Sequence, residues 1–137
     1  MVLQNKYSNQ LETANAAFTY TAGEVEKLSA DEMFFQRLVK TIENNISDSN
    51  YQVDDLCHEI GMNYLQLYRK VKAITDMSIK QFIQNIKMQR AAKMLESGKF
   101  NISEVAYDVG FSSPAYFSET FKKHFSITPT EFIRKSG

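Results

Sequence analysis

The chain of 137 residues has a single cysteine, only two prolines and five glycines, and no excess of charge of either sign, since 16 basic residues balance 16 acidic ones. A lone cysteine excludes an internal disulfide, and Cys57, beside Leu56 and Ile60 at helical spacing, suits a small buried side chain better than a reactive thiol. No run of 18 apolar residues exists and no basic-then-apolar pattern opens the chain, so neither a membrane span nor a signal peptide is expected; the reading is a cytoplasmic protein without membrane contact. His58 and His124 lack ligand-type neighbours at metal spacing, so no metal site is expected. No convergent set of His, Cys and carboxylates and no phosphate-cradling glycine loop is present, which argues against an enzyme and against a bound cofactor. No segment alternates like a strand. Balanced charge also argues, at first, against a nucleic-acid partner, because many such domains are strongly basic.

What the chain does have is a repeat. Val53-Asp54-Asp55-Leu56-Cys57-His58-Glu59-Ile60-Gly61-Met62 is echoed by Ile102-Ser103-Glu104-Val105-Ala106-Tyr107-Asp108-Val109-Gly110-Phe111, 49 residues later. Beyond the glycines the lag grows to 50, so the second copy carries one extra residue in its turn: Leu67 matches Phe117, Val71 matches Phe121, Thr75 matches Phe125, Ser78 matches Thr128, and Phe82-Ile83 matches Phe132-Ile133. Each copy has apolar residues at helical spacing, a small residue four places before a glycine, then a large apolar residue and a polar helix start. That is the plan of a helix-turn-helix, written twice. One copy alone is too small to bury a comfortable core, so a shared or bridged core is expected.

Helix starts are legible from residue 29 onward. Ser29 with Glu32, Asn63 with Gln66, Ser78 with Gln81, Asn101 with Glu104 and Thr128 with Glu131 each pair a capping side chain with Glu or Gln three residues on, the reciprocal arrangement that satisfies orphan amides. Pro114 and Pro129 fit the first helical position, where a missing N–H costs nothing, and Gly61, Gly98 and Gly110 mark helix ends. The expectation is an all-α, homeodomain-like fold of seven helices at about 30–45, 52–60, 64–74, 79–97, 102–109, 114–124 and 129–135. Residues 29–77 form the first unit, 78–98 the linker helix and 99–137 the second unit. Residues 1–28 read as a linker or tail, with a marginal helix from about Leu11 to Phe18. In the long fourth helix Ile79, Phe82, Ile83, Ile86, Met94 and Leu95 are expected on one stripe.

Charge is separated by element: Arg69, Lys70 and Lys72 crowd one short helix and Lys122 and Lys123 its counterpart, while Asp54, Asp55, Glu59, Glu104 and Asp108 precede the glycines. The run Ile102-Ser103-Glu104-Val105-Ala106-x-x-Val109-Gly110-Phe111-Ser112, with Tyr116-Phe117-Ser118-x-x-Phe121-Lys122-Lys123-x-Phe125 and Thr128-Pro129-x-x-Phe132-Ile133-Arg134, resembles the DNA-binding domain of the AraC family of bacterial transcription regulators. The likeness runs from about Ser29 to Lys135. It implies that two helix-turn-helix units, linked by one long helix, place their second helices in successive major grooves of double-stranded DNA. The sizes agree, because a helix fits the ~12 Å major groove and a 19-residue spacer is about 28 Å long.

Carried over by position, the resemblance puts DNA contacts on Asn63, Tyr64, Leu65, Tyr68, Arg69 and Lys72 of the first unit. In the second unit they fall on Ser113, Pro114, Ala115, Ser118, Glu119, Lys122 and Lys123. Leu65, Tyr68, Arg69 and Lys72 follow i, i+3, i+4, i+7 and share a face, with Leu67, Val71 and Ile74 turned to the core. The fork of Arg69 suits guanine O6 and N7, Tyr68 suits a sugar or a thymine methyl, and Lys72 suits phosphate. Glu119, the counterpart of Arg69, departs from the family's basic or polar preference there; it either accepts from cytosine N4 or pairs with Lys122 or Lys123 on a solvated helix. The basic cluster has an equally plain reading as a solvated face, and the rival function is a helical protein-interaction module. The resemblance further implies an output domain of a larger signal-responsive regulator, with RNA polymerase as a promoter partner and a homodimer through a missing upstream domain. Asn63-x-x-Gln66-Leu67-Tyr68-Arg69-Lys70 especially resembles output domains of hybrid sensor kinases of two-component systems.

Overall fold

The computed structural model describes residues 29–136, which form seven helices and no strand: α1 Ala30–Asn44, α2 Val53–Ile60, α3 Tyr64–Thr75, α4 Ile79–Ser97, α5 Ile102–Asp108, α6 Pro114–Phe125 and α7 Pro129–Ser136. Every helix end lies within one residue of its sequence-based expectation. The expected tail and its marginal helix fall outside the described residues.

The caps explain this agreement. Reciprocal hydrogen bonds close Asn63 with Gln66 (3.1 and 2.9 Å), Ser78 with Gln81 (2.9 and 3.2 Å), Asn101 with Glu104 (2.9 and 2.8 Å) and Thr128 with Glu131 (3.0 and 3.1 Å). At Ser29 only half of the expected pair forms: Glu32 N donates to Ser29 Oγ at 3.1 Å. The Glu32 side chain lies on the buried face of α1 with Phe35 and Leu38, 2% exposed, and so cannot reach back. An extra cap that the sequence reading omitted starts α2, where Gln52 N donates to Asp55 Oδ2 at 2.8 Å.

Two apolar cores form, one beneath α1, α2 and α3 and one beneath α5, α6 and α7, and α4 serves both. Ile79, Phe82 and Ile86 belong to the first core, whereas Met88, Ala91 and Leu95 belong to the second. At roughly 100° per residue these two sets point to opposite sides of the rod. The single stripe expected for α4 is therefore wrong: Leu95 lies about half a turn around from Ile86, and Met94 and Ile83 are only half-buried. The physical reason is that α4 is the last helix of one unit and the first of the next. Phe82 fills the first core as Phe132 fills the second, both at most 2% exposed. Between the two sets sits Asn85, fully buried, with neither side-chain polar atom hydrogen-bonded among the described residues, a cost of roughly 1–3 kcal/mol. Cys57 is buried in the first core, and that burial raises its thiol pKa.

The repeat extends to backbone conformation. Asp76 and Ser126, 50 residues apart, end α3 and α6 in the left-handed region at φ 60° and 70°, which few residues other than glycine adopt. Arg37 of α1 donates to the carbonyls of Glu59 (2.9 Å) and Ile60 (3.2 Å), closing the C-terminus of α2.

The two helix-turn-helix glycines differ. Both adopt positive φ, but a Cβ on Gly61 would meet open space, whereas one on Gly110 would overlap the carbonyl oxygen of Ile46, in the other unit. Gly110 is thus where the second unit's turn abuts the loop after α1. We expect Gly61→Ala to cost about 1 kcal/mol, from backbone conformation alone, and Gly110→Ala about 2–4 kcal/mol, from conformation plus overlap. Urea midpoints of the two variants measure the difference, and equal losses would remove the inter-unit contact as a cause.

Candidate nucleic-acid interface

Helices α3 and α6 are the second helices of the two units, and each divides along its length. On α3 the inward side carries Leu67, Val71 and Thr75, with Ile74 half-buried against the same core. The outward side carries Asn63, Tyr64, Leu65, Arg69 and Lys72, all exposed, with Tyr68 half-buried beside them. Tyr64 and Leu65 leave 54% and 52% of their surface to solvent, a large apolar exposure for a packed domain. The rings of Tyr64 and Tyr68 stack at 6.2 Å with 21° between planes.

Within the basic cluster the three cations are held differently. Lys70 turns inward, with Nζ 3.2 Å from Asp31 and 4.8 Å above the ring of Phe34, and so ties α3 to α1. Lys72 bends along its own helix toward its end, reaching the Asp76 carbonyl at 3.3 Å and its carboxylate at 3.8 Å. Arg69 forms no ion pair among the described residues. Its guanidinium is exposed and available to an external partner.

On α6 the expected face is again outward: Ala115, Glu119, Lys122 and Lys123 are exposed, and Ser113, Pro114 and Ser118 are half-exposed. Ser113 Oγ accepts from Tyr116 N at 3.1 Å and Pro114 occupies the first turn. Glu119 lies 4.0 Å from Lys123, one turn on, which is the solvated-pair arrangement. Behind them Phe117, Phe121 and Phe125 stack into Phe111 and Phe132, with centroid separations from 4.6 to 6.0 Å. Two further residues of α6 point inward, Thr120, which the sequence reading does not assign, and His124, which it gives as a surface or core histidine; both fall at core spacing from Phe117 and Phe121. The second unit thus packs its helix on aromatic rings where the first uses Leu67, Val71 and Thr75.

Residues 56–135 match the helix-turn-helix domain family. An AraC-type DNA-binding transcriptional regulator from Chromobacterium violaceum superposes with a TM-score of 0.69 at 26% identity, over 77% of this chain and 94% of that one. The chain belongs to the AraC family of transcription regulators. Its AraC-type domain is a DNA-binding module of transcription regulation, and the family is not one of enzymes. The C-terminal domain of AraT, a response regulator from Geobacillus stearothermophilus, superposes with a TM-score of 0.70 at 26% identity, over 78% of this chain and 88% of that one. In sequence, Histidine kinase P4 of Formosa agariphila is 36% identical over 131 residues, which is 96% of this chain and 10% of that protein. The Msm operon regulatory protein of Streptococcus mutans is 29% identical over 81% of this chain and 40% of its own length. The AraC-type chain therefore spans well under half the length of these two relatives. No helix among the described residues is long and apolar enough to cross a membrane.

Burial holds the His124 pKa down at about 4. A histidine that stays neutral when folded but titrates near 6.5 when unfolded favours the folded state fully above pH 6.5, and that contribution is lost as pH falls toward 4. Between these limits we expect a loss of about 1–2 kcal/mol, less than the whole shift would give because water reaches part of the ring. His124→Phe should flatten this part of the stability profile, as read by urea denaturation at pH 7, 5.5 and 4.5.

Proposed function

We propose that the chain is the DNA-reading output domain of a longer, signal-responsive regulator, and that its contacts lie on the outward faces of α3 and α6. The observation carrying this reading is the repetition, at a lag of 50 residues, of an exposed polar face on the second helix of each unit, with Arg69 on the first bearing no ion pair among the described residues. Arg69 pairs with guanine in the major groove, and Tyr64, Leu65 and Tyr68 offer the apolar surface that thymine methyls favour. Asn63, Ser113 and the first turns they cap position the helices on phosphates, as do Lys72, Lys122 and Lys123. In the second unit Pro114, Ala115 and Ser118 make a small, shallow surface, and Glu119, drawn toward Lys123, contributes less to base reading than Arg69 does.

Each unit has its own core, and a single helix runs through both, which supports two recognition helices set about one DNA turn apart along one face. Residues 29–77 and 99–137 are then the two reading units and 78–98 the spacer. The match of 96% of the chain to a tenth of a histidine kinase, and the likeness to a response-regulator C-terminal domain, favour an origin in a two-component system. Such a protein works in the cytoplasm, pairs two copies through an upstream domain and meets RNA polymerase at the promoter.

Site selection from random duplexes should return a bipartite motif with half-sites about one turn apart. On that site Arg69→Ala should cost about 1–3 kcal/mol and relax preference at one base position, whereas Lys72→Ala should weaken all sequences alike. Unchanged binding by the Arg69 variant would strike it from the readers. Affinity independent of both salt and sequence would instead support a protein partner.

A further inference from the structure

Between the two units lies an open cleft of about 350 Å³, floored by the first half of α4. Gln52 at the start of α2 forms one wall, Ser112 and Tyr116 around the start of α6 form the other, and Lys80, Gln84 and Lys87 project from α4. Among the described residues no acid lines this cleft. Asp55, three residues on from Gln52, is turned to cap its own helix.

Lys87 is the unusual member. It is half-buried, its ammonium lies 5.6 Å from the ring centre of Phe111, and it has no ion pair among the described residues. Burial lowers its pKa, so the folded protein holds a cation in surroundings that disfavour one. A partly desolvated cation without a carboxylate is better satisfied by an external anion than by water. Lys80, at the other end of the same α4 face, is exposed.

We propose that this cleft seats the DNA backbone between the two half-sites, with Lys80 and Lys87 on phosphate oxygens and Gln52, Gln84 and Ser112 as neutral hydrogen-bonding partners around them. The inference rests on the DNA-reading orientation of α3 and α6 proposed above. In a helix-turn-helix the first helix crosses the backbone, and here the start of that helix in the first unit is one wall of the cleft. Ser112 and Tyr116 flank the α6 residues turned toward the second groove, and Tyr116 is 58% exposed. A duplex lying in both grooves carries its intervening strand across the opening. The cleft then contributes affinity without sequence preference, because phosphates carry no base identity.

The test is fluorescence anisotropy of the 137-residue chain on its selected duplex over a range of salt concentrations. Lys80→Gln and Lys87→Gln should each lower the slope of log affinity against log salt by about 0.9 and leave base preference unchanged. A duplex with uncharged methylphosphonate linkages between the half-sites should bind wild type several-fold more weakly, yet bind the double variant no more weakly than the natural duplex does. Lys80 is exposed, so its variant is read without concern for folding; for Lys87 the methylphosphonate comparison separates lost contact from lost packing. Wild-type slopes in both variants, with Arg69→Ala still altering preference, would overturn the cleft and leave the reading helices standing. Absence of steep salt dependence in wild type on any duplex would overturn both. Inorganic phosphate saturating the free protein at low millimolar concentration, at constant ionic strength, would identify a site for a free anion and overturn the backbone assignment.

Discussion

Helix α4 belongs to two cores at once, and everything the domain presents to the outside depends on how it divides itself between them. Its first turns point Ile79, Phe82 and Ile86 into one core, and its last turns point Met88, Ala91 and Leu95 into the other on the opposite side. A regular helix is a stiff connector, and burying it from both sides removes the freedom to swivel that an exposed linker keeps. Gly110 adds a second restraint, since the turn of the second unit presses on the Ile46 carbonyl of the first so closely that no side chain fits between them. Rod and abutment together make one body of two small units, each of which alone buries too little apolar surface for comfortable stability.

Duplication shows in this body as a contrast between inside and outside. Inward positions keep their burial across the repeat, Leu67 with Phe117, Val71 with Phe121 and Phe82 with Phe132, although their size has drifted and the second core has become aromatic. Outward positions have diverged in chemistry. The face of α3 carries tyrosines, a leucine and an arginine with no ion pair among the described residues, whereas that of α6 carries proline, alanine, serine and a glutamate drawn toward a lysine. Packing tolerates a change of volume only if neighbours adjust, while a solvated face changes freely. A single scaffold thus holds two outward faces of different chemistry.

Much of this was legible in the residues. Capping pairs such as Asn63 with Gln66 and Asn101 with Glu104 are local chemistry, confined to four positions, and they located helix starts to within one residue. The outward face of α3 follows from helical spacing, and that of α6 from its match to α3 and the family resemblance. What escaped is what depends on contact between distant segments. The two-sided burial of α4 looked like one stripe because apolar spacing does not say which core each residue enters. The left-handed ends at Asp76 and Ser126 carry none of the glycine that normally marks them. The cleft beside Lys80 and Lys87 draws its walls from three separate stretches of chain, and only their convergence reveals that no acid among the described residues lines it. At Ser29 the expected partner Glu32 failed because tertiary burial overrode a local hydrogen bond.

The balanced charge has a consequence for how the domain finds its target. Sixteen cations offset by sixteen anions leave little long-range attraction toward an arbitrary duplex, so on the proposed reading the sequence-independent term comes from local phosphate contacts, such as those at Lys80 and Lys87, rather than from net charge. Discrimination is set by occupancy of the wanted site relative to millions of competitors, and weakening the background raises that ratio as surely as tightening the target does. On the proposed DNA-reading function, residence at any promoter is then sensitive to whatever raises local concentration, such as a second copy held beside the first.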